Sequence, residues 1–429
     1  MTSLPPERSR RILTGTNLGN NRDSTRQHNL STVLGLVHSL SGVSRSQLTR
    51  ATGLNRSTIA ALVAELVQLG LVVESDLDQA QQYGRPSIMI QPSPGALALA
   101  VNPDVDVVTV ALVSLGGHIV NAVRFHTVRA PSAAEVVNIV SAIYAGMRTS
   151  LPAHQRVVGV GLAIPGLVDP VGGTVIDAPH LGWRDEPLAA RLSEALKLPV
   201  LAANDAVAGA RAQATFGAGC GVSDLIYLYG GASGIGGGVI SGGRLIHGST
   251  GFAGQLGHTH VRTGGVRCTC GSNGCLEAEI TREELIAAVD LPHGETENLE
   301  EVIMERLQDQ VQSSDLREVI DRQVQVLAVG LKSVVNLLNP SMVVLGGFLR
   351  ILVRAAPGAL SEALSTTATR GPRENVSIEL APLGDDSILV GAAELAFEPL
   401  IRDPAGFLRL RTAVVEAVHN EIPVPAQTA

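Results

Sequence analysis

Hydrophobic and polar residues near the start of the chain alternate with the period of α-helices. A first stripe, spaced i, i+3, i+4, i+7 and i+10, consists of Leu30, Val33, Leu34, Val37 and Leu40. This spacing predicts one face of an amphipathic helix, which Ser41-Gly42 then interrupts. Residues 1–25 are polar and have no such period, so we expect a flexible N-terminal tail before the helix.

Two further helices are predicted after this break. The stretch SRSQLTRATGL is a short helix that Ser44 can cap and that Gly53 ends. A second apolar stripe runs up to Gly70 and consists of Ile59, Leu62, Val63, Leu66 and Leu69. Helix, short helix, glycine-containing turn and third helix are the order of a helix-turn-helix.

The start of the third helix and the segment after it suggest contacts with DNA. The helix opens with the polar residues Asn55, Arg56, Ser57 and Thr58, at the end where a recognition helix meets the major groove. Arg56 can donate two hydrogen bonds to guanine, and Asn55 can pair with adenine. LVVES and PSIMIQ are predicted to be the two strands of a wing, from which Arg85 can enter a narrow minor groove. Any three-helix bundle produces such stripes, but the polar helix start and the wing favour DNA binding.

In the rest of the chain the pattern changes to that of short strands, and it occurs twice. From Leu97 and again from Asp224, three β segments follow one another, with tight turns at Gly116-Gly117 and Ser241-Gly242-Gly243. Each meander is followed, after helical sequence, by short apolar strands, VVGVGLAIPG and LPVLAANDA in the first half and MVVLGGF and VSIELAPLG in the second. This repetition predicts a two-lobed, actin-like or hexokinase-like α/β fold, with ligands bound in the cleft between the lobes.

Composition and charge narrow the class of protein. A chain of 429 residues is expected to form two or three domains. It has no apolar window long enough for a membrane span, and its N-terminus lacks the apolar core of a secretory signal, so we expect a cytoplasmic protein. The net charge is −8, yet residues 1–91 carry nine Arg and six Asp or Glu. A basic N-terminal part on an acidic body is typical of an attached nucleic-acid-binding module.

Three of the four cysteines lie close together in GHTHVRTGGVRCTCGSNGC, residues 257–275. These three are Cys268, Cys270 and Cys275. With one imidazole, from His258 or His260, they supply a tetrahedral zinc set, and four protein ligands leave no position for water, so the site is structural. A reducing compartment and three clustered thiols argue against disulfides. The fourth cysteine, Cys220, lies in a glycine-rich loop and is expected to be an inert thiol.

Two other loops carry residues suited to a ligand. Asp205 follows a predicted strand in the segment Ala203–Ala206, where a carboxylate can bind a hydroxyl and, in a kinase, accept its proton. The same Asp can instead cap a helix, which is the interpretation that this segment alone favours. The glycines of SGIGGG, residues 233–238, either let the backbone approach a phosphate or form a tight hairpin.

Taken together, these motifs resemble those of the ROK family, named for repressors, open reading frames and kinases, over about residues 27–396. Besides the winged helix with its Gly-Arg-Pro, the carriers are AIPGLVD at 163–169, APHLGW at 178–183, ANDAVAGA at 203–210, SGIGGG, AGQLGHTHV at 253–261, CTCGSNGCLE at 268–277, NPSMVVLGG at 339–347 and LGDDSILVGAA at 383–393. The resemblance implies a winged helix-turn-helix followed by a two-lobed, ribonuclease H-like domain with structural zinc, in which His258 is the histidine ligand. The sugar contacts that it implies are Asn204, Asp205, Gln255, His258 and Glu277.

Three departures from the family pattern bear on function. Family kinases begin the first lobe with an Asp-x-Gly-Gly-Thr phosphate loop, whereas residues 101–106 read VNPDVD here. Because phosphoryl transfer depends on positioning and neutralising the phosphates, we expect no enzyme activity. Gln255 replaces the usual Glu, and His180 replaces a frequent Asn. Since Gln both donates and accepts hydrogen bonds, the preferred ligand can differ from glucose or an N-acetyl amino sugar, be phosphorylated, or have been lost.

The sequence therefore predicts a transcriptional regulator, a repressor of carbohydrate uptake or catabolism genes, controlled by a sugar or sugar phosphate. A homodimer or homotetramer would place two winged helices on a palindromic operator. Two alternatives remain: an ATP-dependent sugar kinase with an appended DNA-binding domain, and a repressor controlled by a protein partner. The expected boundaries are 1–25 for the N-terminal tail, 26–92 for the winged helix, 93–205 for lobe 1, 206–396 for lobe 2 with the zinc loop and a returning helix, and 397–429 for the C-terminal tail.

Overall fold

The computed structural model of the protein describes residues 22–75, 88–292, 298–309, 313–367 and 369–408. Within these ranges, every helix is too short or too polar to span a lipid bilayer. Arg85, the DNA contact expected from the wing, falls between residues 75 and 88 and lies outside the described residues. Its contact with DNA therefore stays a prediction.

Three helices and a three-stranded sheet form the N-terminal part of the chain. The helices are α1 (Arg22–Leu40), α2 (Arg45–Thr52) and α3 (Arg56–Gln68). The strands are β1 (Val43–Ser44), β2 (Val72–Ser75) and β3 (Met89–Pro92), paired antiparallel in the order β1-β3-β2. The elements follow the order predicted for a helix-turn-helix and its wing strands. α1 starts before position 26, the expected boundary, and there Arg26 pairs with Glu65 of α3 at 2.8 Å.

The short helix α2 begins and ends where the sequence predicts. Ser44 Oγ accepts a hydrogen bond from the Gln47 backbone, and the Gln47 side chain accepts one from the Ser44 N–H at 2.8 Å, which is a capping box. Gly53 ends the helix at φ 71°, a conformation that favours glycine. The stripe predicted for α1 is buried except at Leu40, which is 57% exposed because it is the last residue of the helix.

The first meander builds a five-stranded sheet in lobe 1. Its strands are β4 (Ala96–Pro103), β5 (Val107–Ser114), β6 (Ile119–His126), β7 (Arg156–Ile164) and β11 (Val200–Asn204), in the order β11-β7-β4-β5-β6. The meander β4-β5-β6 is antiparallel, and β7 and β11 add in parallel. A small sheet of β8 (Leu167–Val168), β9 (Val175–Ala178) and β10 (Trp183–Glu186) follows β7, and the helices are α4 (Ala133–Thr149) and α5 (Leu188–Leu196).

Lobe 2 repeats this plan. Its strands are β12 (Leu225–Gly231), β13 (Gly234–Ser241), β14 (Arg244–Leu245), β15 (Met342–Gly347) and β16 (Ser377–Leu380), in the order β14-β13-β12-β15-β16. The described helices of this part are α6 (Asp205–Phe216), α7 (Leu276–Glu279), α8 (Arg282–Ala288), α9 (Leu299–Arg306), α10 (Ser314–Leu338), α11 (Phe348–Ala355), α12 (Ala359–Thr367), α13 (Arg370–Asn375) and α14 (Asp386–Arg402). The antiparallel meander and the parallel strands β15 and β16 complete the two-lobed α/β fold that the sequence predicts.

Helices α6 and α14 pack closely against each other, and α14 also packs on the sheet of lobe 1 while α6 packs on the sheet of lobe 2. A Cβ at Gly391 would overlap the carbonyl group of Ala208, and a Cβ at Gly161 in β7 would overlap that of Ala392. Glycine is required at both positions because backbone takes the place of a side chain. α14 continues to Arg402, beyond position 396, where the sequence led us to expect the end of the domain.

One hydrophobic core joins the N-terminal helices to the rest of the molecule. Val33 and Leu34 of α1 belong to the same buried cluster as Phe397 and Leu400 of α14. In addition, Arg156 donates a hydrogen bond of 3.0 Å to the carbonyl oxygen of Leu69, just after α3. The winged helix is therefore seated on the two-lobed domain.

Candidate functional site

The strand β11 ends in the residues that begin α6. Asn204 is the N-cap of this helix: its Oδ1 accepts a hydrogen bond from the Val207 N–H at 3.1 Å, and its Nδ2 donates to the Gly166 carbonyl at 3.1 Å. Asp205 is the first helical residue, so the interpretation of Asp205 as the cap was wrong. Because the neighbouring Asn204 makes the cap bond, the Asp205 carboxyl group does not serve that purpose.

The Asp205 carboxyl group is buried, with 8% of the residue exposed. Burial, and after it the negative charge of Asp104, raise its pKa to about 7, although the hydrogen bond from the Ala206 N–H lowers it. Burial also raises the pKa of Asp104 itself, while a hydrogen bond from Ser233 lowers it. A carboxyl group that titrates near neutral pH can either donate a hydrogen bond to a hydroxyl or accept one.

The glycine-rich run at 233–238 forms a hairpin, the second of the two predicted alternatives. Gly231 and Gly234 pair across the turn between β12 and β13. A Cβ at Gly236 would lie 2.6 Å from Ala206 Cβ, and a Cβ at Gly234 would lie 2.9 Å from Glu277 Oε2. The missing side chains thus allow β13 to run between the start of α6 and Glu277.

A cavity of about 310 Å³ opens beside β11. Asn204 and Gln255 line it, together with Arg211, Glu398 and Arg402. Arg211 pairs with Glu398 at 2.6 Å, and Arg402 pairs with the other oxygen of Glu398 at 2.5 Å. The cavity therefore combines amide groups at one place with two guanidinium groups around a single carboxylate at another, a combination suited to a polar ligand with an anionic group.

Four of the five expected sugar contacts fall into two groups, and Asp205 belongs to neither. Asn204 and Gln255 line the cavity beside β11, whereas the residues that line it do not include Asp205, His258 or Glu277. The last two are neighbours: His258 Nδ1 lies 3.3 Å from Glu277 Oε1. Asp205 directly follows Asn204 in the chain. Its side chain approaches β13, where a Cβ at Gly236 would lie 3.6 Å from Asp205 Oδ1.

A second cavity, of about 190 Å³, lies between the lobes. Two contacts join the lobes next to this cavity: Ser233 Oγ donates a hydrogen bond to Asp104, and Arg282 of α8 lies 3.3 Å from Asp106. Both carboxylates belong to residues 101–106, where a family kinase would have its phosphate loop. Sequence reasoning pointed to the loop that begins at Ser233 but missed its bond to Asp104, and it missed Arg282, because each acts on a residue more than a hundred positions away.

Three cysteines and one histidine form a cluster that can hold a metal ion. Ligand atoms of His258, Cys268, Cys270 and Cys275 all lie within 4.8 Å of one another. His258 Nδ1 is 3.5 Å from Cys268 Sγ, and Cys270 Sγ is 3.7 Å from Cys275 Sγ. His260 instead makes a hydrogen bond with the Asn273 carbonyl at 3.1 Å, so the geometry selects His258. Three sulfurs and one imidazole nitrogen are the donor set that zinc prefers.

Glu277 connects the metal cluster with the β13 hairpin. Its Oε1 accepts a hydrogen bond from Cys268 Sγ at 3.0 Å, while its Oε2 faces Gly234. Burial and the neighbouring Glu277 raise the pKa of the Cys268 thiol, and a bound cation would oppose this by stabilising the thiolate. Cys275 is the N-cap of α7 and Glu277 lies in the first turn of that helix, so a metal bound to Cys275 would fix the helix that carries a carboxylate expected to contact sugar.

The expected DNA-contacting residues lie at the exposed start of α3. Asn55 is the N-cap of α3, because its Oδ1 accepts a hydrogen bond from the Thr58 N–H at 2.8 Å and another from Ser57 Oγ at 2.7 Å. Arg56 and Ser57 are exposed, and Thr58 is half-buried. The carbonyl oxygen of the Asn55 side chain is thus used within the helix, whereas the Arg56 guanidinium faces solvent.

The sequence profile of the ROK family matches residues 99–398 of this chain. The chain is 26% identical over 373 residues to a xylose repressor of Caldicellulosiruptor bescii, covering 84% of this chain and 93% of that protein. Its fold is similar, with TM-score 0.68 and 23% identity, to a ROK family transcriptional regulator described as a homologue of the Escherichia coli MLC protein, covering 90% of this chain and 99% of that one. It is also similar to a ROK family glucokinase of Streptomyces griseus solved with glucose and AMPPNP, with TM-score 0.60 and 28% identity, covering 70% of this chain and 99% of that one.

Proposed function

The chain belongs to the ROK family, and from this we propose that it is a DNA-binding transcriptional repressor of carbohydrate uptake or catabolism genes, controlled by a sugar or sugar phosphate. The observation that carries the proposal is the extent of the likeness. The structural match to the ROK transcriptional regulator covers 90% of this chain, against 70% for the glucokinase, and the sequence match to the xylose repressor covers 84%. Helices α1 to α3 lie outside the residues that the family profile matches, and they are the part that binds operator DNA.

The cavity beside β11 is the proposed effector site. Asn204 and Gln255 supply amide groups for sugar hydroxyls, and Asp205, which follows Asn204 but does not line the cavity, can donate or accept a hydrogen bond near neutral pH. Arg211 and Arg402 share one carboxylate, and this excess of positive charge supports an effector that carries a phosphate group. His258 and Glu277 would approach the ligand from the metal cluster.

The protein is proposed not to be an enzyme, although kinases are among its relatives. Residues 101–106 carry Asp104 and Asp106 where a phosphate would need donors. These carboxylates bond to Ser233 and Arg282 across the inter-lobe cavity. The negative charges of Asp104 and Asp106 repel phosphate, and Ser233 and Arg282 already interact with these carboxylates. Both effects oppose the binding of a nucleoside triphosphate. The kinase alternative has the support of Asp205, whose carboxyl group could accept a proton from a hydroxyl.

The metal at the cluster of His258 and three cysteines is proposed to be zinc, with a structural role. The cluster offers four protein ligands, which fill a tetrahedral coordination sphere. In this role zinc would hold the loop that carries His258 against α7, where Glu277 lies. We also propose a homodimer or homotetramer, since two copies of α3 are needed to read the two halves of a palindromic operator.

The proposal is tested by measuring operator binding with the full-length chain. Footprinting on DNA upstream of its own gene and of neighbouring genes would locate the operator, at a stated salt concentration because phosphate contacts depend on it. The effectors tested would be D-xylose, D-glucose and N-acetyl-D-glucosamine, with and without a phosphate group. A protected palindrome that one of these sugars releases supports the proposal. Protection that no sugar alters would point to control by a protein partner, and ATP-dependent phosphorylation of any of the sugars would favour the kinase.

A further inference from the structure

His38 of α1 is a buried histidine with a defined partner on each ring nitrogen. The residue is 2% exposed. Its Nδ1 lies 2.9 Å from the Gly116 N–H in the turn between β5 and β6, and its Nε2 lies 2.8 Å from Glu394 Oε1 in α14. A backbone N–H can only donate, so Nδ1 accepts, and the ring proton on Nε2 is donated to the carboxylate. His38 therefore links the winged helix to lobe 1 and to α14 at once.

Two aromatic rings hold the imidazole edge-on. Its centroid lies 5.1 Å from that of Phe216, the last residue of α6, and 5.8 Å from that of Phe397 in α14. A Cβ at Gly117 would lie 2.8 Å from Phe216 Cε2, so the β5-β6 turn also packs tightly on Phe216. Three separate elements, the β5-β6 turn, α6 and α14, thus meet at one side chain of the winged helix.

The helices that meet at His38 also reach the two cavities. α6 begins with Asp205, beside Asn204 in the candidate effector site, and ends with Phe216 at His38. On α14, Leu389 lines the inter-lobe cavity, and Leu395, directly after Glu394, lines the cavity beside β11. A change in either cavity that moves α6 or α14 therefore acts on the contacts of His38.

A buried polar pair is a poor way to increase stability. Replacing such a pair by apolar residues of similar size is often neutral or stabilising, and the surrounding core of Phe397 and Leu400 could accommodate them. A hydrogen bond, however, depends strongly on distance and angle. It is lost when donor and acceptor separate by roughly 1 Å. An apolar contact would tolerate such a shift.

We propose that His38 is the positioning residue that transmits the state of the effector site to the winged helix, through its hydrogen bond with Glu394. The inference rests on the proposed function, namely that a sugar controls operator binding. When ligand draws the lobes together, lobe 1 moves as one body with α14 and the β5-β6 turn, and α1 follows lobe 1 because His38 is bound to both of these elements. The orientation of α3 relative to its counterpart in a second copy then changes.

The test uses a pair of substitutions at one position. In Glu394→Ala the acceptor for His38 Nε2 is lost, whereas in Glu394→Gln an amide oxygen remains to accept the same hydrogen bond. His38→Asn is the partner variant, since its side chain can still accept from Gly116 but is too short to reach Glu394. His28→Ala, at an exposed histidine of the same helix, is the matched control.

Three quantities are measured for each full-length variant: the operator Kd without sugar, the Kd of the inducing sugar found for the wild-type chain, and the ratio of operator Kd with and without that sugar. Allosteric ratios are typically about 5 to 150. We expect the ratio to fall to about 2 or less in Glu394→Ala and His38→Asn, with both individual Kd values within about threefold of wild type. Glu394→Gln and His28→Ala should keep the wild-type ratio.

A merely structural role for His38 would lower the melting temperature and leave the ratio intact. A wild-type ratio in folded Glu394→Ala or His38→Asn therefore overturns the inference and leaves the proposed function standing. If the wild-type chain itself binds operator with the same Kd at every sugar concentration, the proposed function fails, and the role of His38 fails with it. If Glu394→Ala does not fold, the comparison between His38→Asn and His28→Ala decides.

Discussion

The negative charge of Asp104, at the end of β4, raises the pKa of Asp205, at the start of α6. The two carboxyl groups belong to segments a hundred residues apart in the chain, and both are buried. Burial is the larger cause of the raised pKa of Asp205, and it acts on Asp104 as well. Ionising both Asp104 and Asp205 at once is therefore unfavourable, because two negative charges would be buried close together.

The first prediction is a loss of stability with rising pH that Asp205→Asn removes. The pKa of Asp205 is about 7 in the folded protein against 3.8 ordinarily, so the folded state binds the additional proton between these values. This contribution to stability is complete below about pH 4 and is lost as the pH rises through about 7. The free energy of unfolding of wild type relative to Asp205→Asn should fall by roughly 1 kcal/mol per pH unit from pH 5 to 7. Urea titrations at several pH values measure it, and parallel curves would refute it.

A second prediction concerns the contact between Asp106 and Arg282 across the inter-lobe cavity. Since Asp106 is partly exposed, Asp106→Ala should lower the free energy of unfolding by less than about 1 kcal/mol. It should nevertheless loosen the lobes, so that backbone amides near Ser233 exchange hydrogen faster. Hydrogen-exchange mass spectrometry checks this against Asp321→Ala, at an exposed residue of α10. Equal exchange in both variants would mean that the ion pair does not restrain the cleft.

Removing the metal should affect both stability and sugar binding. Elemental analysis of the purified chain is expected to find about one zinc per chain. Cys270→Ser, or treatment with a strong chelator, should lower the melting temperature and weaken sugar binding, because the metal would no longer hold Cys275 at the start of the helix that carries Glu277. Cys220→Ser, at a cysteine outside the cluster, should change neither. Loss of zinc without any change in sugar affinity would separate the metal from the ligand site.

A fourth prediction follows from the close approach of the loop that carries Gly257 to strand β13. A Cβ at Gly257 would overlap the carbonyl oxygen of Ile235, so Gly257→Ala must displace β13 or the loop that carries Gln255 and His258. We expect it to lose several kcal/mol of stability, as overpacked sites do, and to lose sugar binding. Gly146→Ala is the control, because a Cβ there meets open space on helix α4 and should stabilise by about 0.5–1 kcal/mol. Thermal melts of the two variants should move in opposite directions.

Two neighbouring residues at the start of α3 are expected to have different roles: Asn55 stabilises the helix, and Arg56 contacts DNA. Asn55→Ala should cost about 1 kcal/mol of stability, because the Asn55 side chain caps the helix. Arg56→Ala should leave stability unchanged, since the side chain is exposed, but weaken operator binding by about 1–3 kcal/mol. Fluorescence anisotropy with operator DNA, alongside thermal melts, distinguishes the two. Retained operator affinity in Arg56→Ala would exclude this arginine as a base contact.

Local features of the structure could be predicted from the sequence because their causes are local. Ser44 and Gly53 delimit α2 as expected, since capping and a left-handed turn depend on a few neighbouring residues. The glycine pairs at 116–117 and 242–243 likewise form turns with positive φ. The repeated meander could be recognised because strand pairing between neighbours in sequence leaves a regular pattern.

Contacts between distant parts of the chain could not be predicted in the same way. His38 and Glu394 are 356 positions apart, and a histidine at the polar edge of an amphipathic helix gives no sign of its partner. The metal cluster was the exception, because its four residues lie within eighteen positions of each other. Asp205 shows a different limit: whether Asn204 or Asp205 caps the helix depends on one residue of register, which periodicity does not determine.

The buried cluster shared by α1 and α14 has a consequence for dividing this chain into fragments. Excising α1 would uncover Phe397, Leu400 and Ile401, the last of which lies against Gly35, and would leave Glu394 without its partner. The two-lobed part thus depends on α1 to cover part of its own hydrophobic core. A fragment that lacks the winged helix should aggregate unless the apolar residues exposed by the cut are replaced by polar ones.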